Sequence, residues 1–277
     1  MSNATPRWDL EITAKSPVVH RGEMSGTTAL LRRMKIVQPD GTFELVPVVS
    51  GNSLRGVLRR IGEELLRDVL EYEGQLPLHV AHLLRNGGAL AKSSAEPLTG
   101  RRLHEFRELV PHVSVFGGAV GSAPISGCLR VGHVLPLVAE AAPALRYEYE
   151  HELPSVFDVL SQESYSHADD PGPGLDTTLP PSSGSPLMRF EIEAFAPGTK
   201  FESWVLLDRG SELDHAFAAD VLTEFTRRGW LGGRTATGHG QVSTYISPDP
   251  AADVTVDWRA VLAERRDDAM AALLGLP

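Results

Sequence analysis

Apolar and polar positions alternate along "WDLEITAKSPVV" (residues 8–19), with Leu10, Ile12 and Ala14 on one face. A period of two marks a strand with one buried side, so this stretch is predicted to be a first strand. Further on, two strand-like runs flank the turn sequence "PDG" at 39–41, which predicts a hairpin. The period then changes. Leu54, Val57, Leu58, Ile61, Leu65, Val69 and Leu70 recur three and four apart, predicting an amphipathic helix over residues 53–71 with Asn52 as its N-cap. Residues 76–110 keep helical spacing, but "NGG" and "EPLTG" divide them into short pieces.

The next stretch, "SVFGGAVGSAPISGCLRVGHVLPL", is glycine-rich and then alternates as a strand does. Residues 161–187 hold five prolines among glycines and serines and are predicted to form no packed element. In "MRFEIEAFAPGTKFESWVLL" two alternating runs flank "APGT" at 196–199, which reads as a strand pair around a Pro-Gly turn. Asp214 is expected to cap a second helix, in which Phe217, Val221 and Phe225 recur every four residues and which ends near Arg228-Gly229. The loop "WLGGRTATGHG", the strand "QVSTYI" and a helix over about 255–273 complete the chain. One sheet with two helices on one face fits this order: an α+β, ferredoxin-like fold. Four segments are expected: core over 1–139 with a helical insertion, an acidic Pro/Gly-rich insertion over 140–187, core over 188–247, and a C-terminal helix over 248–277.

Composition narrows the function classes. The 277 residues suffice for one large domain with a long insertion. No apolar run approaches the roughly 20 residues that span a bilayer, and no signal peptide opens the chain. The lone Cys128 excludes an internal disulfide and a cysteine-rich zinc site, so a cytoplasmic protein without membrane contact is expected. The net charge of −10 argues at first against a nucleic-acid partner. That sum hides a segmentation. Residues 140–214 carry 15 acidic against four basic side chains, while the remainder holds 22 basic against 21 acidic. A basic groove outside the middle segment remains compatible with the total.

Two stretches have the residue types that hold anions. "GGRTATGHG" spaces Gly233 and Gly238 as a phosphate loop does, but His239-Gly240 stands where Lys and Ser/Thr are required. The loop also follows a helix and precedes a strand, the reverse of the nucleotide-binding order. A tight helix-to-strand turn is one reading. The other is an anion nest, in which Gly232, Gly233 and Gly238 allow close backbone approach beside Arg234, Thr235, Thr237 and His239. "SGNSLRGVLRR" sets Ser50, Gly51, Asn52 and Ser53 before Arg55, Arg59 and Arg60. Cations at a helix N-terminus oppose the helix dipole. Either the arginines face solvent and pair with Glu63 and Glu64, or amides, dipole and the guanidinium groups of Arg55 and Arg59 together meet an external anion. The histidines, including His79, His82, His104 and His112, form no metal-ligand pattern with carboxylates or cysteines. Asp169 and Asp170 read as a solvated pair in a polar loop, and no G-x-S-x-G elbow anchors a catalytic serine.

Four stretches together resemble the RAMP superfamily of CRISPR-associated proteins, specifically its crRNA-binding backbone subunits. "VVSGNSLRGVLRRIGEELL" is similar to the family's "PGSSLKG-x-LR" helix start, with Arg55 at the basic position. "SVFGG" followed by "GCLRVGHVLPL", the "PGT-x-F" strand pair and the glycine loop "GWLGGRTATGHGQV" follow in family order across residues 10–247. The resemblance implies an RRM-like core and an inserted thumb, expected at 140–187. It also implies copies stacked head to tail along guide RNA with other effector-complex subunits. Type III members cleave RNA through an aspartate after the first strand. The matching loop "SPVVHRGEMSG" has Glu23 but no aspartate, so the chain reads as non-catalytic, needing neither metal nor cofactor, with a DNA-targeting or type IV-like effector favoured over a type III one. His20, Arg21, Arg55, Arg59 and the 232–240 loop are then expected to hold phosphates. The alternatives are a metal-independent RAMP endoribonuclease with His20 as general acid or base, and a subunit that contacts only protein.

Overall fold

The computed structural model describes residues 5–88, 98–120, 123–166 and 189–276. In chain order the strands and helices are β1 (Arg7–Ala14), β2 (Arg21–Ser25), β3 (Thr28–Leu31), β4 (Arg33–Val37), β5 (Phe43–Pro47) and α1 (Gly51–Leu70). They continue with α2 (Leu78–Asn86), α3 (Gly100–Leu109), α4 (Pro111–Phe116), β6 (Gly118–Val120), β7 (Ala123–Ile125), β8 (Leu129–Val131) and β9 (Leu135–Pro136). The rest are β10 (Leu160–Ser166), β11 (Arg189–Phe195), β12 (Lys200–Leu207), α5 (Glu212–Arg228), β13 (Val242–Ser247), α6 (Trp258–Glu264) and α7 (Arg266–Leu274).

The main sheet runs β13-β1-β12-β8, with β9 also on β12, and these pairs are antiparallel. With α1 after β1 and α5 after β12, this is the predicted ferredoxin-like arrangement. The strict alternation of β1 explains its central place. Trp8, Leu10, Ile12 and Ala14 are buried beneath the helices, while Arg7, Asp9, Glu11 and Thr13 point to the other face. The core between layers joins Leu54, Leu58, Ile61 and Leu65 of α1 to Phe217, Val221 and Phe225 of α5 and to Leu10, Ile12, Val205 and Leu207 of the sheet. Gly62 lets α1 approach closely, since a Cβ there would lie 3.0 Å from the Phe116 ring and 3.1 Å from that of Phe217.

A second sheet, β10-β11-β3-β2, lies beside the first. It corrects two expectations. Residues 160–166 do form a packed strand, paired in register with β11 from Leu160↔Phe195 to Ser166↔Arg189, whereas the rest of the Pro/Gly stretch, with Asp169 and Asp170, lies outside the described residues. The runs around "APGT" are both strands, but they do not pair with each other. β11 joins β10 and β3 while β12 joins β1 and β8, so the Pro-Gly turn is a corner between sheets. Alternation alone cannot distinguish a hairpin from a corner, because both keep the period of two.

Other boundaries moved by a few residues. The β4–β5 hairpin forms around the "PDG" turn, with Val37 opposite Phe43. The first strand stops at Ala14, and residues 17–20 leave the sheet. Helix α5 is capped by Ser211, with Asp214 as the reciprocal member of a capping box rather than the cap. The C-terminal helix is two pieces meeting at Arg265, where the backbone turns out of helical geometry. Arg266 donates through Nε to the Leu70 carbonyl at 2.9 Å, closing the end of α1.

Two expected outcomes test this packing. Gly62→Val forces the two phenyl rings apart and should cost about 1–3 kcal/mol, read by denaturant unfolding. His112 is fully buried, donates through Nε2 to the Arg59 carbonyl at 3.2 Å and finds no partner for Nδ1 among the described residues. Burial, reinforced by Arg59, pushes its pKa down from 6.5 to about 3. The unfolded chain therefore binds the proton first, and this contribution to stability is full above pH 6.5 and falls away as pH drops toward 3. His112→Gln should flatten the acid limb of a stability-against-pH curve; an unchanged limb would place the loss elsewhere.

Candidate functional site

The α1 start is capped by Ser50, in extended conformation, whose hydroxyl accepts from the Ser53 amide at 3.2 Å. The predicted cap, Asn52, is instead in the first turn and exposed. Gly51 is buried, and its amide donates to Nδ1 of His133 at 3.2 Å. A side chain at Gly51 would meet the Gly132 carbonyl at 2.7 Å, which is why the chain needs glycine there. With Ser53 and Leu54 bonded to Ser50, the Asn52 amide is the one left open in this turn among the described residues.

The arginines contradict both sequence readings. Arg59 is 8% exposed, and its guanidinium donates to the carbonyls of Phe116 (2.5 Å), Gly117 (3.0 Å) and Leu83 (3.4 Å). Arg55 donates to Phe116 at 2.9 Å and to Leu129. Phe116 and Gly117 end α4, and Leu83 is in the last turn of α2, so the two cations meet the electronegative ends of other helices. Burial lowers both pKa values, that of Arg59 to about 10 with Arg55 as the secondary cause. Neither guanidinium is presented to an external phosphate. Glu63 and Glu64, the expected partners, pair instead with Arg85 (2.7 and 3.3 Å), and Glu64 also with Arg228 of α5. Of the three arginines at this end, Arg60 is the exposed one.

The glycine loop is also turned inward in part. Gly233 donates its amide to the Val19 carbonyl and Gly240 to that of Pro17, both at 2.8 Å, while Gly238 and His239 bond back to Thr235 and Arg234. These four amides therefore do not form the expected nest. Gly232 (φ 85°) and Gly240 (φ 83°) are required by geometry, because a Cβ would lie 2.5 Å from the Val19 carbonyl and 2.2 Å from that of Leu231. The outer rim remains exposed: Gly233, Arg234, Thr235, Thr237 and Gly238, with Trp230 37% exposed at its root. His239 is directed to Glu163 of β10.

Residues 17–20 bring the two stretches together. Val19 bridges to Gly233 and Val18 to Phe195 of the second sheet. The next residue, His20, is half-buried, and burial followed by Arg32 and His133 lowers its pKa. His133 in turn holds the Gly51 amide. The helix start and the glycine loop therefore flank one edge, with exposed Arg21 and Arg32 beside His20. Arg32 and His133 were not among the residues the sequence pointed to: "GHV" reads as strand alternation, and nothing in it signals that His133 meets Gly51, 82 residues away. His20 Nε2 is enclosed without a hydrogen-bond partner among the described residues, a placement that lends nothing to His20 as a general acid or base.

The open face of the main sheet is of mixed charge. Asp9, Glu11 and Glu202 point there together with Arg7, Lys200 and Arg130, and the segment after β9 crosses it. Arg146 donates its amide to Glu202 at 2.5 Å and pairs with Asp9; Tyr147 donates to Asp9 at 2.8 Å and Tyr149 to Glu202 at 3.1 Å. No group of three or more His, Cys, Asp or Glu side chains among the described residues could hold a metal ion. His79 contacts the Leu276 carbonyl, His82 contacts Asn86 and His104 pairs with Glu108. None of the helices among the described residues is long and apolar enough to cross a membrane.

A ferredoxin-like core with a glycine loop before its last strand is thus the frame on which these features sit. Over residues 11–243 the chain matches the model of the RAMP superfamily, and it belongs to that family. A chain of a solved "Type IV-B CRISPR Complex" is 36% identical, with 91% of this chain and 93% of that chain covered and a TM-score of 0.63. No curated protein matches.

Because Arg59 satisfies three carbonyls from inside the fold, Arg59→Ala should destabilise the protein by about 2–4 kcal/mol, read as a lowered midpoint in denaturant. Loss of nucleic-acid affinity without loss of stability would contradict this assignment.

Proposed function

We propose that the chain is a subunit of a CRISPR effector complex that binds guide RNA through its sugar-phosphate backbone, without cutting it, as copies packed head to tail. The family and the likeness to a chain of a Type IV-B CRISPR complex support the effector assignment. The observation that carries RNA binding is the junction at residues 17–20. It hydrogen-bonds the glycine loop on one side and, through His20 and His133, adjoins the α1 start on the other. Two stretches of the type that hold anions then line one edge rather than opposite sides.

The residues assigned to phosphate are those with exposed charge or backbone: Arg21, Arg32, Asn52, Arg60, and the 232–238 rim with Arg234 and Thr235. Arg55 and Arg59 act behind them by fixing where α1 begins. Contacts of this kind read charge and shape, so base pairing of the guide supplies the sequence information.

Purified protein should carry short RNA, seen as a raised 260/280 nm absorbance ratio that falls after nuclease treatment. Arg21→Ala with Arg32→Ala should weaken binding roughly tenfold, equally across sequences, and reduce the salt slope by about two. An RNA-free protein with no affinity for guide-length RNA would overturn the reading. Incubation with repeat RNA in the absence of metal should yield no discrete cut.

A further inference from the structure

His239, at the rim of the glycine loop, is held by an acidic side chain. Its Nε2 lies 2.7 Å from Oε2 of Glu163, and its Nδ1 lies 3.2 Å from the Thr237 hydroxyl. That hydroxyl donates to the Arg234 carbonyl at 3.0 Å, leaving its oxygen as acceptor toward the ring. Both ring nitrogens then face oxygen atoms that can accept. The His239 side chain is 13% exposed and that of Glu163 is 37% exposed, so the pair closes the rim without being sealed.

Glu163 comes from elsewhere in the chain. It belongs to β10, 76 residues earlier, in the acidic middle segment. Its strand is fixed in register on β11, with Glu163 opposite Ile192. β11 is in turn tied to residues 17–20 through the Val18–Phe195 bridge. The same short segment therefore positions the glycine loop and the strand that carries the carboxylate. A carboxylate and a phosphodiester are both oxyanions, and one Nε2–H can serve only one of them.

We propose that Glu163 is a built-in competitor for the anion position at His239, holding it until RNA displaces the carboxylate. This rests on the RNA-binding reading above and adds its regulation. Partly exposed ion pairs are weak, so the contact tunes affinity rather than blocking binding. The acidic segment then has a defined task at the site: it disfavours short or weakly held anions and yields to a polyanion that gains several contacts at once.

The test is fluorescence anisotropy of the full chain with labelled single-stranded RNA of mixed sequence, with folding of each variant checked by thermal melting. Glu163→Gln should tighten binding about threefold to tenfold. Glu163→Asp, which keeps the charge but withdraws it from Nε2, should tighten binding too. Glu148→Gln, on the stretch across the sheet, should change affinity less than about twofold. His239→Gln should have little effect in the native chain and should remove the gain in the Glu163→Gln background. If the native chain binds RNA but Glu163→Gln gives no gain, or Glu148→Gln gives the same gain, the competitor is overturned while RNA binding stands. If neither the native chain nor Glu163→Gln binds RNA, both readings fall.

Discussion

Two guanidinium groups inside the protein determine how the rest is arranged. Arg55 and Arg59 sit in the first turns of α1, where the helix dipole disfavours positive charge, and are stabilised by carbonyls that end α4 and α2. The Phe116 carbonyl accepts from both. A buried cation without such partners would be untenable, so the ends of three helices are drawn to one point. Gly87 illustrates how close they come, since a Cβ there would lie 2.7 Å from the Arg59 guanidinium carbon. The basic character of the α1 start is thus consumed in building the frame, and the start itself is delivered to the edge beside His133.

That edge is the product of an exchange between the two sheets. Residues 17–20 leave β1, pair with the glycine loop, touch the second sheet and then enter β2. The glycines of the loop accommodate this crossing. Gly232 and Gly240 take positive φ and admit backbone where no side chain would fit, and the amides of Gly233 and Gly240 donate to the carbonyls of Val19 and Pro17. A loop that looks like a ligand cradle is therefore half a structural joint, with its rim alone left to solvent.

Charge placement divides the surface. The sheet face opposite the helices is of mixed charge, its carboxylates engaged by residues 146–149, while Arg21, Arg32, Arg60 and Arg234 are exposed on the helix start, the glycine loop and the strands beside them. The net charge of −10 describes neither region. The chain's charge is segmented, an acidic middle stretch over residues 140–214 against a nearly balanced remainder.

Much of the fold was legible from periodicity. Strand β1, the β4–β5 hairpin, α1, α5 and β13 each show their period over enough residues, and their order specifies a ferredoxin-like core because the burial of one face is a local property of the pattern. Partner choice was not local. The pattern "MRFEIEAFAPGTKFESWVLL" encodes two strands equally well whether they pair or part, and tertiary packing decided that they part. Likewise "SLRGVLRR" encodes cations at a helix start, but whether they meet solvent, an acid or buried carbonyls depends on which helix ends arrive there. The sequence by itself determined the elements and their faces, through side-chain period and turn chemistry. Only the tertiary structure decided which charges remained outside, because desolvation and hydrogen-bond satisfaction are settled between residues far apart in the chain.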